Sequence, residues 1–297
     1  VDPVIPILRF DSLDGDPVAI LVSYACHPVV LAADNLLLTG DYVHFVREEL
    51  EAALPGAVAI FATGCAGDIN SGHSAQSSLS AQGNAYRSYE MAAHIGSGIA
   101  KAAMKCDLSA LDDWCGVAED RIDLDFLSRE TASADILIDQ WNNLAQSDAD
   151  KAFIYEIWID WARNRMATDI EPLEVRCTAL YWGGSVLIGL PGEVFAQSAL
   201  RLRDSIAREG IAAECPVFVM AYADDNPGYI PPSVEYRFGG YEIDEAHRFY
   251  GLGATFAPGS AERLEQTGCL VAKNAAVAAT QNERAINNNT IERGNNG

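Results

Sequence analysis

The stretch Tyr24-Ala25-Cys26-His27-Pro28 closes an apolar run that begins at Val18. The run is long enough, and rich enough in β-branched residues, to predict a buried strand. Proline cannot extend a strand ladder and holds the preceding residue in an extended conformation, so the strand should end at His27. Ligand-binding groups of α/β folds collect at such strand ends. His27 is therefore a candidate functional residue, and the alternative is a buried histidine bonded to a backbone carbonyl.

Two neighbouring strands are predicted at the start of the chain. Residues 5–10 and 17–26 are both apolar, and Asp11-Ser-Leu-Asp-Gly-Asp-Pro17 between them is typical of a hairpin. Short apolar runs then alternate with helical patterns. Further strands are predicted at residues 57–62, 115–126, 173–181, 185–190 and 215–222, and helices at 41–53, 86–105, 130–167, 190–208 and 259–280. The sequence therefore predicts an α/β fold with mixed β-sheets flanked by helices.

No repeat or linker divides the chain, so residues 1–281 are predicted to form one folded unit. The polar residues 282–297 are predicted to be a disordered tail. The helical segment 130–167 carries Trp141, Trp158 and Trp161. Tryptophans at helical spacing indicate a core or an interface rather than a binding site, so these helices are expected to form a lid or a subunit contact.

The composition excludes several classes of function. The chain is 49% hydrophobic and 21% charged, with a formal net charge of −22 that would repel phosphate backbones and argues against nucleic-acid binding. No apolar stretch is long enough for a transmembrane helix. Seven cysteines without a CxxC pair argue against a zinc knuckle. They favour a reducing, cytoplasmic compartment, with a periplasmic or secreted location as the alternative. The start lacks a signal peptide and an initiator methionine, which indicates a processed chain or part of a longer protein.

Two further stretches carry residue types used in active sites. Thr63-Gly-Cys-Ala-Gly-Asp-Ile-Asn-Ser-Gly-His73 directly follows the strand predicted at 57–62. Its glycines would let backbone amides approach a ligand, although a tight loop needs the same residues. It lacks the Gly-Lys-Ser/Thr ending of a phosphate loop. Glu193, in Leu190-Pro-Gly-Glu193, is predicted near a helix N-terminus, where the dipole favours a carboxylate and where simple capping is the alternative role.

Four stretches together resemble the neutral/alkaline (non-lysosomal) ceramidases and their bacterial relatives. They are Tyr24-Ala-Cys-His-Pro28, Gly64-Cys-Ala-Gly-Asp-Ile-Asn70, Leu190-Pro-Gly-Glu193, and Gly228-Tyr229-Ile-Pro with Gly239-Gly-Tyr241-Glu. Their order and rough spacing match the family. The resemblance implies that residues 1–281 are the C-terminal portion of a ceramidase-like catalytic domain.

The resemblance also implies a metal site. In the family, two histidines, a glutamate and a tyrosine bind one zinc ion, and by motif the ligands in this chain would be His27, Glu193 and Tyr229. Tyr241 would be a hydrogen-bond donor beside the reacting carbonyl. Zinc accepts nitrogen and oxygen ligands, and a zinc-activated water can attack an amide carbonyl.

Three departures from the family pattern shape the expectation. The other zinc histidine lies in an upstream motif that this sequence does not contain, so we expect an N-terminal segment or a second subunit to supply it, in a hetero-oligomer or a processed precursor. Where ceramidases carry the serine assigned as nucleophile, this chain has Asn70 followed by Ser71, which favours attack by zinc-activated water. The C-terminal immunoglobulin-like domain is absent, which indicates a small amide or N-acyl substrate other than ceramide.

The function predicted from these features is a zinc-dependent amidohydrolase that cleaves a C–N amide bond. His73, at the end of the glycine-rich loop, is a candidate proton shuttle. The remaining histidines, His44, His94 and His247, are expected to be surface or helix residues.

Two alternatives belong to other classes. One is a non-catalytic subunit of a ceramidase-like complex, which metal content would distinguish. The other is a cysteine hydrolase that uses Cys65 or Cys26 with His27, which would need a lowered thiol pKa and an oxyanion hole.

Overall fold

The apolar run that ends before His27 forms the central strand of a three-stranded mixed sheet. It does so in the computed structural model of the chain, which describes residues 1–78, 83–127, 133–165, 171–212 and 215–294. The strands are β1 (Ile7–Asp11), β2 (Pro17–Tyr24) and β3 (Val58–Thr63), in the order β1-β2-β3. β1 and β2 form the predicted antiparallel hairpin, whereas β2 and β3 are parallel, so both strands end at the same edge.

One face of this first sheet packs against two helices. α1 (Asp41–Ala53) lies in the connection between β2 and β3, and α3 (Tyr89–Ala103) follows the short helix α2 (Ala75–Ser78). Buried side chains from the sheet and from the helices α1 and α3 form the first core: Ile20, Val22, Ala59, Tyr42, Val46, Leu50, Ile99 and Ala100. Burial of apolar surface on this scale is the main force that holds the layer together.

The chain also forms a second, four-stranded sheet. It contains β4 (Cys115–Leu124), β5 (Leu173–Trp182), β6 (Ser185–Gly189) and β8 (Val217–Met220), in the order β4-β5-β6-β8. β6 and β8 are parallel and the other pairs are antiparallel. The helices α6 (Ala196–Arg208) and α7 (Ser260–Gly294) contribute buried side chains to the larger core around this sheet. The predicted α/β class with mixed sheets is confirmed.

A pair of helices carries the tryptophans. α4 (Ala134–Ser147) and α5 (Ala152–Arg165) pack against each other, and Trp141, Trp158 and Trp161 are buried in a third cluster between them. The prediction that these tryptophans belong to a core is confirmed. A lid or a subunit contact for this pair stays a prediction.

One predicted helix start is wrong. The helix expected from Leu190 begins only at Ala196, because Glu193 and Val194 form a short strand, β7, that pairs in parallel with β9 (Tyr229–Ile230). Glu193 therefore lies on a strand, three residues before the first residue of α6.

The last helix is longer than predicted. It was expected to end near residue 280, but α7 continues to Gly294 and so covers most of the predicted tail, 282–297. The Asn282 side chain donates a hydrogen bond of 2.9 Å to the Cys115 carbonyl, which connects this part of the helix to β4. Residues 295–297 lie outside the described residues, and the domain boundary at 281 stays a prediction. In the described ranges, no helix is both long and apolar enough for a membrane span.

Candidate active site

Glu193 and Tyr229 lie side by side because their short strands pair in register. β7 and β9 place Glu193 opposite Tyr229, and the Glu193 amide donates a hydrogen bond of 2.8 Å to the Gly228 carbonyl. Gly192 has a φ of +70° and Gly228 a φ of +103°, values that favour glycine at these two turns. Two segments that are distant in sequence are thus fixed together by backbone hydrogen bonds, as the predicted ligand set requires.

His27, which follows strand β2 of the first sheet, lies next to Glu193. The distance between His27 Nε2 and Glu193 Oε2 is 3.4 Å, and the two side chains are 12% and 6% exposed. The His27 amide donates a hydrogen bond of 2.9 Å to the Ile69 carbonyl. The predicted residues His27, Glu193 and Tyr229 are therefore brought to one place, with ring centroids of His27 and Tyr229 6.3 Å apart.

The glycine-rich loop holds the two halves of this site in contact. The Gly67 amide donates a hydrogen bond of 3.0 Å to the Val194 carbonyl. A Cβ atom at Gly67 would lie 2.5 Å from the Glu193 carbonyl oxygen, so only glycine fits there. Asp68 Oδ1 accepts a hydrogen bond of 2.7 Å from the Ala196 amide and so caps α6. Gly67 thus serves a close backbone contact with the strand that carries Glu193.

Two tyrosines that the sequence analysis missed complete the hydrogen-bond network. The Tyr222 hydroxyl donates to Glu193 Oε2 at 3.0 Å and lies 3.1 Å from His27 Nδ1. The Tyr250 hydroxyl donates to Glu193 Oε1. Tyr222 follows the apolar run of β8 much as His27 follows that of β2, and this signal could have identified it. No sequence signal pointed to Tyr250.

Tyr241 lies beside Tyr229, with ring centroids 5.8 Å apart at 77°. Burial raises the pKa of Tyr241, and the nearby Glu193 carboxylate raises it further. The same two causes raise the pKa of Tyr222 and of Tyr229. Near neutral pH these phenols therefore keep their protons and act as hydrogen-bond donors.

Burial also sets the charge of the two central groups. It raises the pKa of Glu193, while hydrogen bonds from Tyr222 and Tyr229 oppose this effect. Burial lowers the pKa of His27, so the imidazole is neutral near neutral pH. The short contact between His27 and Glu193 is consequently not an ion pair. Because the Tyr222 hydroxyl donates to Glu193 Oε2, it accepts from His27 Nδ1, and Nε2 faces the carboxylate with a lone pair.

The donor set fits a metal ion. His27 Nε2 is buried and has no hydrogen-bond partner among the described residues, although nearly all buried polar atoms have one. A neutral imidazole nitrogen, a carboxylate and a phenol oxygen match the nitrogen and oxygen ligands of zinc. Within the described part of the chain, no group of three or more His, Cys, Asp or Glu side chains could hold a metal, so these residue types alone do not complete a site.

The other predicted catalytic residues lie outside this network. His73 Nε2 is 2.9 Å from Ser78 Oγ, and no contact joins the His73 side chain to His27 or Glu193 in the described residues. Asn70 is half-buried, and its carbonyl accepts a hydrogen bond of 2.9 Å from the Gly72 amide. The catalytic roles of His73 and Asn70 stay predictions.

The surroundings of Cys26 and Cys65 bear on the cysteine-hydrolase alternative, and those of His247 on its expected position. Burial raises the pKa of the Cys26 thiol to about 11 and that of Cys65 to about 12. Neither thiol is activated, since a nucleophilic cysteine needs a lowered pKa, and this argues against the cysteine-hydrolase alternative. His247 lies in the 3₁₀ turn Ala246–Arg248, as a surface or helix position allows, and its ring packs against Trp161 with centroids 5.3 Å apart.

Comparison with solved structures identifies the fold. The neutral ceramidase from Pseudomonas aeruginosa superposes with a TM-score of 0.61 over 92% of this chain, at 16% sequence identity. A ceramidase complexed with C2 superposes with a TM-score of 0.57 over 92% of this chain, at 15% identity. The chain has a ceramidase-like fold. This confirms the resemblance that the sequence motifs indicated.

The match covers only part of these neighbours. The chain spans 46% of the first structure and 48% of the second, about half the length of each. No family model and no curated protein sequence matches the chain. The similarity to these structures therefore establishes the fold of the chain.

Proposed function

We propose that this chain is the zinc-binding part of an amide hydrolase, completed by an N-terminal segment or a partner subunit that carries a further histidine ligand. The observation that carries the proposal is His27 Nε2, a buried nitrogen that has no hydrogen-bond partner among the described residues and lies 3.4 Å from Glu193 Oε2. A position between two such lone pairs favours a cation. His27, Glu193 and Tyr229 would hold the zinc ion.

Zinc bound there would polarise the substrate carbonyl and lower the pKa of a water molecule. The protein would contribute orientation and hydrogen bonds. Tyr222, which contacts both His27 and Glu193, keeps the two ligands in fixed positions. The Tyr241 hydroxyl, protonated because burial raises its pKa, would donate a hydrogen bond to the carbonyl oxygen as it gains negative charge. This arrangement suits cleavage of a C–N amide bond.

The similarity to solved structures supports the class of substrate in this proposal. The name ceramidase on both neighbouring structures supports amide hydrolysis, since ceramide is an N-acyl compound. The further histidine ligand would come from an N-terminal segment or a partner subunit. We propose small amides or N-acyl compounds as substrates.

The test is elemental analysis of the native protein together with intact-mass analysis of every polypeptide in the sample. We expect one zinc per chain, a second polypeptide segment, and hydrolysis of an N-acyl para-nitroanilide. Glu193→Gln should lose both zinc and hydrolysis. Glu174→Gln is the matched control, because that carboxylate is 58% exposed and pairs with Arg121 on the surface.

Two results would contradict the proposal. If the Glu193→Gln variant keeps both its zinc and its hydrolytic activity, Glu193 is not part of the site. A native complex without metal would instead favour the alternative of a non-catalytic subunit.

A further inference from the structure

Two of the tyrosines near Glu193 belong to one short segment, residues 241–250, which we call the tyrosine segment. Tyr241 begins it beside Tyr229, and Tyr250 ends it with a hydrogen bond to Glu193. A π-helical turn over Tyr241–Glu245 and a 3₁₀ turn over Ala246–Arg248 lie between them. The segment thus brings two tyrosines to the site from its two ends.

Glycines with left-handed backbone conformations flank the tyrosine segment. Gly239 and Gly240 precede it with φ values of 62° and 111°, and Gly251 follows it with a φ of 67°. Glycine adopts these conformations without strain. The Gly240 amide donates a hydrogen bond of 2.7 Å to Asp244 Oδ2, and the Gly251 amide donates one of 3.3 Å to the Arg248 carbonyl, so both glycines are bonded to the segment itself. The middle of the segment connects it to the rest of the protein.

The middle of the segment contacts the helix pair α4–α5. The Arg248 guanidinium lies over three indole rings, at 5.2 Å from the centroid of Trp141, 4.7 Å from that of Trp158 and 5.5 Å from that of Trp161. Trp141 and Trp158 also contact each other edge to face, at 5.5 Å and 62°. We call these three residues the tryptophan clamp. A cation over several indole faces is a directional contact and is strongest where water is excluded.

Residues on both sides of Arg248 add to this contact. The His247 ring packs on Trp161 at 5.3 Å, and the Trp161 indole Nε1–H donates a hydrogen bond of 2.6 Å to the Leu252 carbonyl. The Phe249 ring lies 6.3 Å from Trp158 on one side and 6.1 Å from Tyr241 on the other. Phe249 therefore connects the clamp directly to a site tyrosine.

We propose that Arg248 is a positioning residue, which holds the tyrosine segment on the tryptophan clamp so that Tyr241 and Tyr250 meet Glu193 and Tyr229. The expected effect of Arg248 on kcat rests on the proposed function, whereas its expected effect on the structure of residues 241–250 does not. The helix pair α4–α5 thereby acts on the site from outside it.

The first measurement is amide hydrogen exchange by mass spectrometry on the native full-length protein with every polypeptide that copurifies. Arg248→Met keeps most of the apolar stem and removes the charge. We expect exchange over residues 241–250 to rise about tenfold, while exchange over α6 and over residues 260–280 is unchanged. Arg248→Lys keeps a cation and should give an intermediate rate.

The matched control is Arg163→Met on α5. Arg163 is an arginine of the same helix pair, 56% exposed and paired with Asp160 at 3.4 Å. We expect wild-type exchange in every segment. A merely structural role of Arg248 would raise exchange in all helices together, and that result, or unchanged exchange over 241–250, would overturn the proposal.

The second measurement is steady-state hydrolysis of an N-acyl para-nitroanilide. Misplacement of catalytic groups lowers the rate more than it weakens substrate binding, so Arg248→Met should lower kcat about 10- to 100-fold with KM within about twofold. Arg248→Lys should recover part of kcat. A wild-type kcat for Arg248→Met in an active enzyme would overturn the proposal. If the wild type hydrolyses no amide, the proposed function fails, and the exchange result still decides whether Arg248 positions the segment.

Discussion

The Tyr222 hydroxyl donates a hydrogen bond of 3.0 Å to Glu193 Oε2. Because that proton is used, the same oxygen can only accept from His27 Nδ1, 3.1 Å away, so Nδ1 carries the imidazole proton. Nε2 then keeps its lone pair and points toward Glu193, as its distance of 3.4 Å from Oε2 indicates. One phenol thus fixes both the tautomer of His27 and the orientation of the carboxylate.

Tyr222→Phe should therefore weaken zinc binding while leaving the ligands in place. Loss of a group that orients metal ligands typically costs 10- to 100-fold in metal affinity. The measurement is a zinc titration against a competing chelator. Tyr86→Phe, at an exposed tyrosine, is the control and should bind zinc as the wild type does. Wild-type affinity in Tyr222→Phe would show that His27 and Glu193 do not need this hydroxyl.

Tyr241→Phe should separate catalysis from metal binding. Its hydroxyl is expected to stabilise the oxyanion, and removal of one such donor costs about 10²–10³ in kcat. We expect that loss of kcat on an N-acyl para-nitroanilide with an unchanged zinc content. A variant that loses zinc as well would assign Tyr241 a ligand role instead.

The sequence predicted the fold better than it predicted the site. Alternation of apolar runs and a Gly-Asp-Pro turn were enough for β1, β2 and α1, because local hydrophobic pattern and turn chemistry dictate these elements. The strand at Glu193 was missed because two residues carry no periodicity and pair only with the distant Tyr229. Tyr250 was missed for the same reason, since its partner Glu193 is distant in sequence.

Gly67→Ala should damage the site through the backbone. Its Cβ would lie 2.5 Å from the Glu193 carbonyl oxygen and 2.9 Å from a ring carbon of Phe195, so the loop must move away from β7. We expect a loss of about 1–3 kcal/mol in the free energy of unfolding, measured by urea denaturation, with a lower zinc affinity.

The control for this variant is Gly98→Ala in α3. No heavy atom outside its own helix and chain neighbours lies within 4 Å of a Cβ placed there, and alanine is a better helix former than glycine. Its stability should rise by up to about 1 kcal/mol with unchanged zinc affinity. A Gly67→Ala protein that behaves like Gly98→Ala would contradict the proposed close packing of the loop on Glu193.

His247 predicts a specific dependence of stability on pH. Burial lowers its pKa to about 4, and the neighbouring Arg248 guanidinium contributes to the same shift. The unfolded chain binds a proton at this residue below about pH 6.5, whereas the folded protein does so only below about 4. The contribution of neutral His247 to the free energy of unfolding is therefore complete above pH 6.5. It falls as the pH drops from 6.5 to 4, and then levels off.

The size of this effect follows from the pKa difference, which corresponds to about 3 kcal/mol at most. His247→Gln should lower stability at pH 7 through lost packing on Trp161, yet its free energy of unfolding should fall less steeply between pH 6.5 and 4 than that of the wild type. Urea denaturation at several pH values measures both slopes. His44→Gln, which alters an exposed histidine on α1, should keep the wild-type slope. Equal slopes for wild type and His247→Gln would mean that His247 is accessible to protons in the folded protein, and that the tyrosine segment is not closed against the tryptophan clamp.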